Sequence, residues 1–133
     1  MRSYKLLLFI NLMLNSMSRS FNLVGNVYRA SVKVPLLRIP QDMKLTFCTM
    51  NKAELELSGF INTKGYIDYE MHNFADNIKF IPDENIKKVI KKYRLTLDNV
   101  SYNSLDDTAK LHIKSNLVFL KQEVIFKRSY CLN

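Results

Sequence analysis

Ala53-Glu54-Leu55-Glu56-Leu57-Ser58-Gly59-Phe60-Ile61-Asn62-Thr63-Lys64-Gly65-Tyr66-Ile67-Asp68-Tyr69-Glu70-Met71-His72 is the most informative stretch of this 133-residue chain. Its apolar residues recur with period two on both sides of Asn62-Thr63-Lys64-Gly65, the signature of a β-hairpin with one buried face. Two registers compete. A two-residue loop sets Leu57 opposite Glu70 and mixes the faces. A three-residue loop, Thr63-Lys64-Gly65, places Gly65 at the left-handed position of a type I turn with a bulge. It sets Leu57 opposite Met71, Gly59 opposite Tyr69 and Ile61 opposite Ile67. The other face then pairs Glu56 with His72, Ser58 with Glu70 and Phe60 with Asp68. Because this register keeps the faces consistent, it is the one expected.

The same period continues on either side. Tyr28, Ala30, Val32 and Val34 alternate with Val27, Arg29, Ser31 and Lys33, a half-buried strand ending at Pro35. Residues 36–39 lie between two prolines and read as a connector or an edge strand. Lys44 to Thr49 alternates again, with Leu45 and Phe47 on one face. Residues 78–81 form a short strand. From Pro82 the period changes: Ile86, Val89, Ile90 and Tyr93 recur at i, i+3, i+4 and i+7, an apolar helical stripe. Pro82 suits the first turn, and Asp83 and Glu84 favour the positive end of the dipole. Strands resume at Leu95, with a bulge expected near Asp98-Asn99 because Val100 and Tyr102 fall out of phase with Leu95 and Leu97. Ala109, Leu111 and Ile113 share a face of the next strand. The last runs 117–128, with Val118, Leu120, Val124 and Phe126 on one side. The expected class is therefore mainly β (α+β): a curved antiparallel sheet or small, partly open barrel of seven to eight strands, with one short amphipathic helix at about 82–94.

The beginning of the chain has another character. Arg2 and Lys5 precede an apolar-dominated run at 6–14, too short for the roughly 20 residues of a spanning helix and of the length of a secretory signal core. Ser16 and Ser18 supply small residues two apart. Residues 1–20 are thus expected to be a signal or targeting segment and 21–133 a single β-rich domain, secreted or in an endomembrane or organelle lumen. The alternative is a membrane anchor formed by residues 6–14. Export permits a disulfide between Cys48 and Cys131; Cys48 buried as an unpaired small hydrophobe is the other reading. Asn99-Val100-Ser101 is a glycosylation sequon.

Net charge is +8, from 20 basic and 12 acidic residues. Hydrophobic residues at 47% and charged residues at 24% place the chain among ordinary globular domains and exclude wholesale disorder. Only two cysteines exclude a disulfide-dense scaffold. No nucleophile elbow, phosphate loop or dinucleotide fingerprint occurs. The chain is read as non-enzymatic, with no cofactor.

Three constellations carry candidate function. The helix's other face bears Lys87, Lys88, Lys91, Lys92 and Arg94, which suit a partner protein or an anionic membrane surface. Nucleic acid is disfavoured, since Asp68 and Glu70 give the adjoining sheet face the wrong sign. Glu56, Glu70 and His72 are weak metal candidates on one face of the expected hairpin, better explained as a solvated amphipathic surface. His112, between Lys110 and Lys114, reads as a surface residue. The third constellation is the content of 15 Phe and Tyr (8 + 7) with no Trp. On a curved sheet these fill a core or line a cavity for a small apolar ligand, a lipid or pigment. At the level of architecture alone this resembles lipocalin-like barrels, with no residue motif behind it. Docking through the basic helix is the first functional expectation, an apolar-ligand carrier the alternative, and a metal-dependent enzyme the second alternative.

Overall fold

Alternation of inward and outward side chains closes this chain into a nearly complete antiparallel barrel. The computed structural model describes residues 5–7, 10, 23–34, 37–71, 78–103, 105–115 and 120–129, with the backbone alone at 71, 98, 99 and 120. Eight strands, β1 (Val27–Lys33), β2 (Pro40–Phe47), β3 (Lys52–Gly59), β4 (Thr63–Met71), β5 (Ile78–Pro82), β6 (Leu95–Asn103), β7 (Thr108–Ser115) and β8 (Leu120–Ser129), form one sheet. Its order is β5-β4-β3-β2-β1-β8-β7-β6, with every pairing antiparallel. Strands adjacent in sequence are adjacent in space except at one place. Between β5 and β6 the chain inserts helix α1 (Glu84–Lys92), leaving those two strands as the sheet's edges, close to each other across a seam. Pairing of β1 with β8 joins the two meanders.

Inward residues follow the expected parity. Tyr28, Val32, Met43, Leu45, Phe47, Ala53, Tyr69, Leu111, Ile113, Val124 and Phe126 belong to one buried cluster. The bulge in β6 lies between Asp98 and Ser101. Residues 37–39 belong to the connector between β1 and β2, where the Arg38 amide donates to the Val34 carbonyl.

The hairpin register differs from expectation. Leu57 faces Thr63, not Met71; Leu55 faces Gly65, and Glu56 faces Lys64, not His72. The partner has slipped by eight residues (71 − 63). An even slip preserves which face each side chain occupies, so the hydrophobic pattern accepts either register. Turn chemistry decides between them. Gly59 has φ +123°, and a Cβ there would collide with the Pro40 carbonyl oxygen. Asn62 closes the turn: its amide nitrogen donates to the Gly59 carbonyl (2.8 Å) and its oxygen accepts from the Gly59 amide (3.0 Å). Gln41 locks the corner from β2, donating to the carbonyls of Asp42, Ser58 and Ile61 and accepting from the Ile61 amide at 2.7 Å. The turn therefore sits at 59–62, and Gly65 lies inside β4.

Gly65 is buried because α1 packs on it. A Cβ added there would come within 2.7 Å of both Asp83 Oδ1 and Ile86 Cγ1. Asp83 is the helix N-cap: Oδ1 accepts from the Ile86 amide (3.0 Å) and Oδ2 from the Tyr66 amide (2.8 Å). These amides hold its carboxyl below the usual carboxylate range. Pro82, expected in the first helical turn, instead ends β5 opposite Ile67. The helix thus begins two residues later than Pro82 and is fastened to β4 through one carboxylate.

Candidate ligand-binding site

The inside of the barrel is divided. At one end aromatics fill it: Tyr28 meets Phe47 edge-on at 5.6 Å between ring centroids, Phe47 meets Tyr69 at 5.0 Å, and Tyr28 meets Tyr102 at 6.3 Å. Each arrangement is one that ring quadrupoles favour. Their hydroxyls are satisfied. Tyr69 donates to the Thr49 carbonyl at 2.6 Å, and burial pushes its phenol up to about 12. Tyr28 and Tyr102 both donate to Asp107 Oδ1, at 2.6 and 2.8 Å, while Arg128 reaches Oδ2 at 3.3 Å. Burial raises the Tyr28 and Tyr102 phenols. On Asp107, burial alone would raise the carboxyl; the two phenols and Arg128 outweigh it and leave the group below its ordinary value.

Above this floor the barrel is hollow. A cavity of about 450 Å³ lies between the sheet and α1, within the roughly 300–1,000 Å³ of small-molecule sites. Its walls are inward side chains of the sheet, among them Val32, Met43, Leu55, Ile67, Leu111 and Ile113. Its roof is the apolar stripe of the helix, Ile86, Val89, Ile90 and Tyr93, with Phe60 packed against Tyr93 at 5.5 Å. None of the floor aromatics, Tyr28, Phe47, Tyr69 or Tyr102, touches it. Of the polar residues in its lining, Gln41 is already engaged in four hydrogen bonds, and the others include Lys79 and Lys110. No Asp or Glu is among the described lining residues. Such a chamber can hold an apolar molecule by excluding water. Its described lining contains no His, Cys, Ser, Asp or Glu.

Lys87, Lys88, Lys91, Lys92 and Arg94 are all exposed on the helix's outward side and its C-terminal end. Lys87 sits 3.6 Å from Glu84, and the Lys92 ammonium lies 5.4 Å from the centroid of the Tyr93 ring. The two faces of α1 therefore serve different environments, cavity and solvent.

The acidic patch does not assemble as expected. Glu56 reaches Lys44 (3.9 Å) and Glu54 reaches Lys64 (3.4 Å), which holds the Lys64 ammonium above its ordinary value. Glu70 lies opposite Lys79, six residues along β4 from the partner of Glu56, or about 20 Å at ~3.3 Å per residue. His72 lies outside the described residues. Among the described residues no group of three or more His, Cys, Asp and Glu could hold a metal ion. His112 is exposed, 3.5 Å from Glu123.

Cys48 is exposed just past β2, not within a strand and not buried; its thiol approaches the Thr46 carbonyl at 3.6 Å. Cys131 lies outside the described residues, and so does any bridge between the two. Asn99 falls at the irregular part of β6. Of the N-terminal segment, residues 5–7 and 10 are helical, and Leu6, Leu7 and Ile10 are exposed. Among the described residues no helix is long and apolar enough to cross a membrane.

The chain matches no known family, and no curated protein or solved structure shows significant similarity to it. What it does must be read from its own geometry.

Proposed function

We propose that this protein is a non-enzymatic binding barrel that carries a small apolar ligand in the chamber under α1. One observation carries the reading: the helix stripe and the upper half of the sheet enclose about 450 Å³ that their own side chains leave unfilled. Natural cores pack to nearly crystalline density, and voids larger than a water are few. A hollow of this size costs stability unless it is occupied, and its lining suits an apolar occupant.

The test is binding of Nile red, a neutral apolar dye, to the full chain. Saturable binding at one dye per chain is expected. Val89→Trp fills the chamber from the helix side, away from the strand ladders, and removes that binding while the circular dichroism of the sheet persists. Absence of saturable binding, or unchanged binding in the filled variant, overturns the proposal.

A second reading accompanies the first because the outward helix face presents exposed cations with few partners: docking on an anionic membrane or partner. Charge reversal at Lys87, Lys88, Lys91 and Lys92 then abolishes co-sedimentation with phosphatidylglycerol vesicles at low salt. Unchanged sedimentation removes the membrane form of this reading and leaves the cavity untouched. Arg2 and Lys5 ahead of the short apolar run at 6–14 support a targeting or anchoring role for the N-terminal segment.

A further inference from the structure

We infer that the occupant of the chamber is an anionic amphiphile, with its apolar chain inside and its charged head at the seam between β5 and β6. The inference rests on the binding reading above and goes beyond it by assigning the head group, the place where it sits and the residues that meet it.

The chamber's route to solvent is marked by its own lining. Lys79 on β5 is exposed, Leu97 on β6 is 37% exposed, and Lys110 on β7 is half-buried, yet all three line it. Residues that touch both solvent and the chamber mark where one reaches the other. Among the described lining residues the two that are exposed, Lys79 and Leu97, lie on β5 and β6, the neighbouring edges of the sheet that share no hydrogen-bonded ladder. Lys110 pairs with Ser101 at the end of the β6 irregularity, where the strand departs from regular pairing. Bulges bend an edge and re-aim its side chains, which favours an opening there.

Charge then selects the head group. Two lysines stand at this opening, and no carboxylate is among the described lining residues. Lys79 makes no ion pair among the described residues; its cross-strand neighbour on the outer surface is Glu70. Lys110 has a long, exposed contact to Glu123 at 3.9 Å, the kind of surface pair that an incoming anion can replace. Gln41, whose amide is consumed by the β3–β4 corner, offers nothing to a neutral polar head. A ligand that buries a chain under Ile86, Val89 and Ile90 and leaves a carboxylate or phosphate ester between the two lysines satisfies both halves of the site.

Displacement of Nile red from the full chain by three competitors of the same chain length tests this: palmitate, hexadecyl phosphate and hexadecanol. At least one anion is expected to displace the dye at about tenfold lower concentration than the alcohol; whichever anion leads names the head group. The double variant Lys79→Gln/Lys110→Gln should bring anions and alcohol within about twofold of each other, with hexadecanol unchanged. Dye binding with no preference for either anion overturns the head-group assignment and leaves the apolar chamber standing. A preference that survives the double variant overturns the lysines' role. Failure of the dye to bind removes both readings together.

Discussion

Replacing Gly65 with alanine separates a strand glycine crowded by α1 from one with open space above it by the sign of the effect. In a regular strand with room for a methyl group, Gly→Ala stabilises by about 0.4–1 kcal/mol, because the unfolded chain loses freedom. Gly65 has no such room: the new Cβ would sit 2.7 Å from Asp83 Oδ1 and 2.7 Å from Ile86 Cγ1. Overpacking of that kind costs typically ~1–3 kcal/mol. Displacing Asp83 weakens the N-cap, worth about 1 kcal/mol, and the hydrogen bond from the Tyr66 amide. After subtracting the entropic gain, a net loss of about 2–3 kcal/mol is expected, a lowering of Tm by roughly 10 °C for a chain of this size. Thermal and urea denaturation followed by circular dichroism measure it. A cycle with Asp83→Ala sharpens the result. Because both substitutions act on the same cap, their effects should fall short of additive by at least ~0.5 kcal/mol. A Gly65→Ala protein as stable as the parent, or strict additivity in the cycle, would refute the placement of α1 on β4.

Other outcomes follow from the same geometry. Gly59→Ala, at φ +123° against the Pro40 carbonyl, should cost more than Gly65→Ala, about 3 kcal/mol or more, and reduce the yield of folded protein. Tyr28→Phe removes one of the phenols on Asp107 and should cost about 1–2 kcal/mol in urea denaturation. Asp107 contributes to acid lability with a definite sign. Its folded pKa is depressed, so its stabilisation is fully present above the unfolded value of about 3.9 and is lost as pH falls through the folded one. Asp107→Asn should therefore be less stable than the parent at pH 7 yet lose less on acidification from pH 4 to pH 2. Equal pH slopes would count against the Tyr28–Tyr102–Asp107 cluster.

Much of this architecture is legible in the residues because period-two alternation reports faces directly. Tyr28 and Val32, Leu45 and Phe47, and Leu111 and Ile113 all point inward as their spacing requires, and the i, i+3, i+4, i+7 stripe of α1 faces the interior. Register was not legible. Gly59 and Gly65 are both plausible turn residues, and the pattern tolerates an even slip. The deciding contacts, the Pro40 carbonyl against Gly59 and Ile86 against Gly65, come from segments distant in sequence. The candidate site was half visible. An apolar stripe reads the same whether it fills a core or roofs a cavity; the difference is the radius at which the sheet closes, which no single strand encodes. The aromatic content divides accordingly, with Tyr28, Phe47, Tyr69 and Tyr102 forming a solid floor while Phe60, Phe80, Tyr93 and Phe126 line the hollow. Lys79 and Lys110 carried no signal at all, because their importance depends on which strands become edges.

The join between β1 and β8 has a kinetic consequence. Among the described residues three pairs, Val27–Ser129, Tyr28–Arg128 and Arg29–Lys127, form the ladder there, reinforced by Arg29 donating to the Ser129 hydroxyl across 100 residues of sequence and by Arg128 donating to Asn26. Each meander is built from neighbouring hairpins and can zip locally. Closure brings together the most distant rungs in the sheet, so its loop entropy falls due before its few hydrogen bonds return anything. Folding should therefore proceed by early hairpins and late closure, and weakening the join should speed unfolding while leaving the folding limb of a chevron nearly unchanged. In such a protein circularisation of the sheet is the expected slow step, and the β1–β8 join is where native lifetime should respond most to substitution.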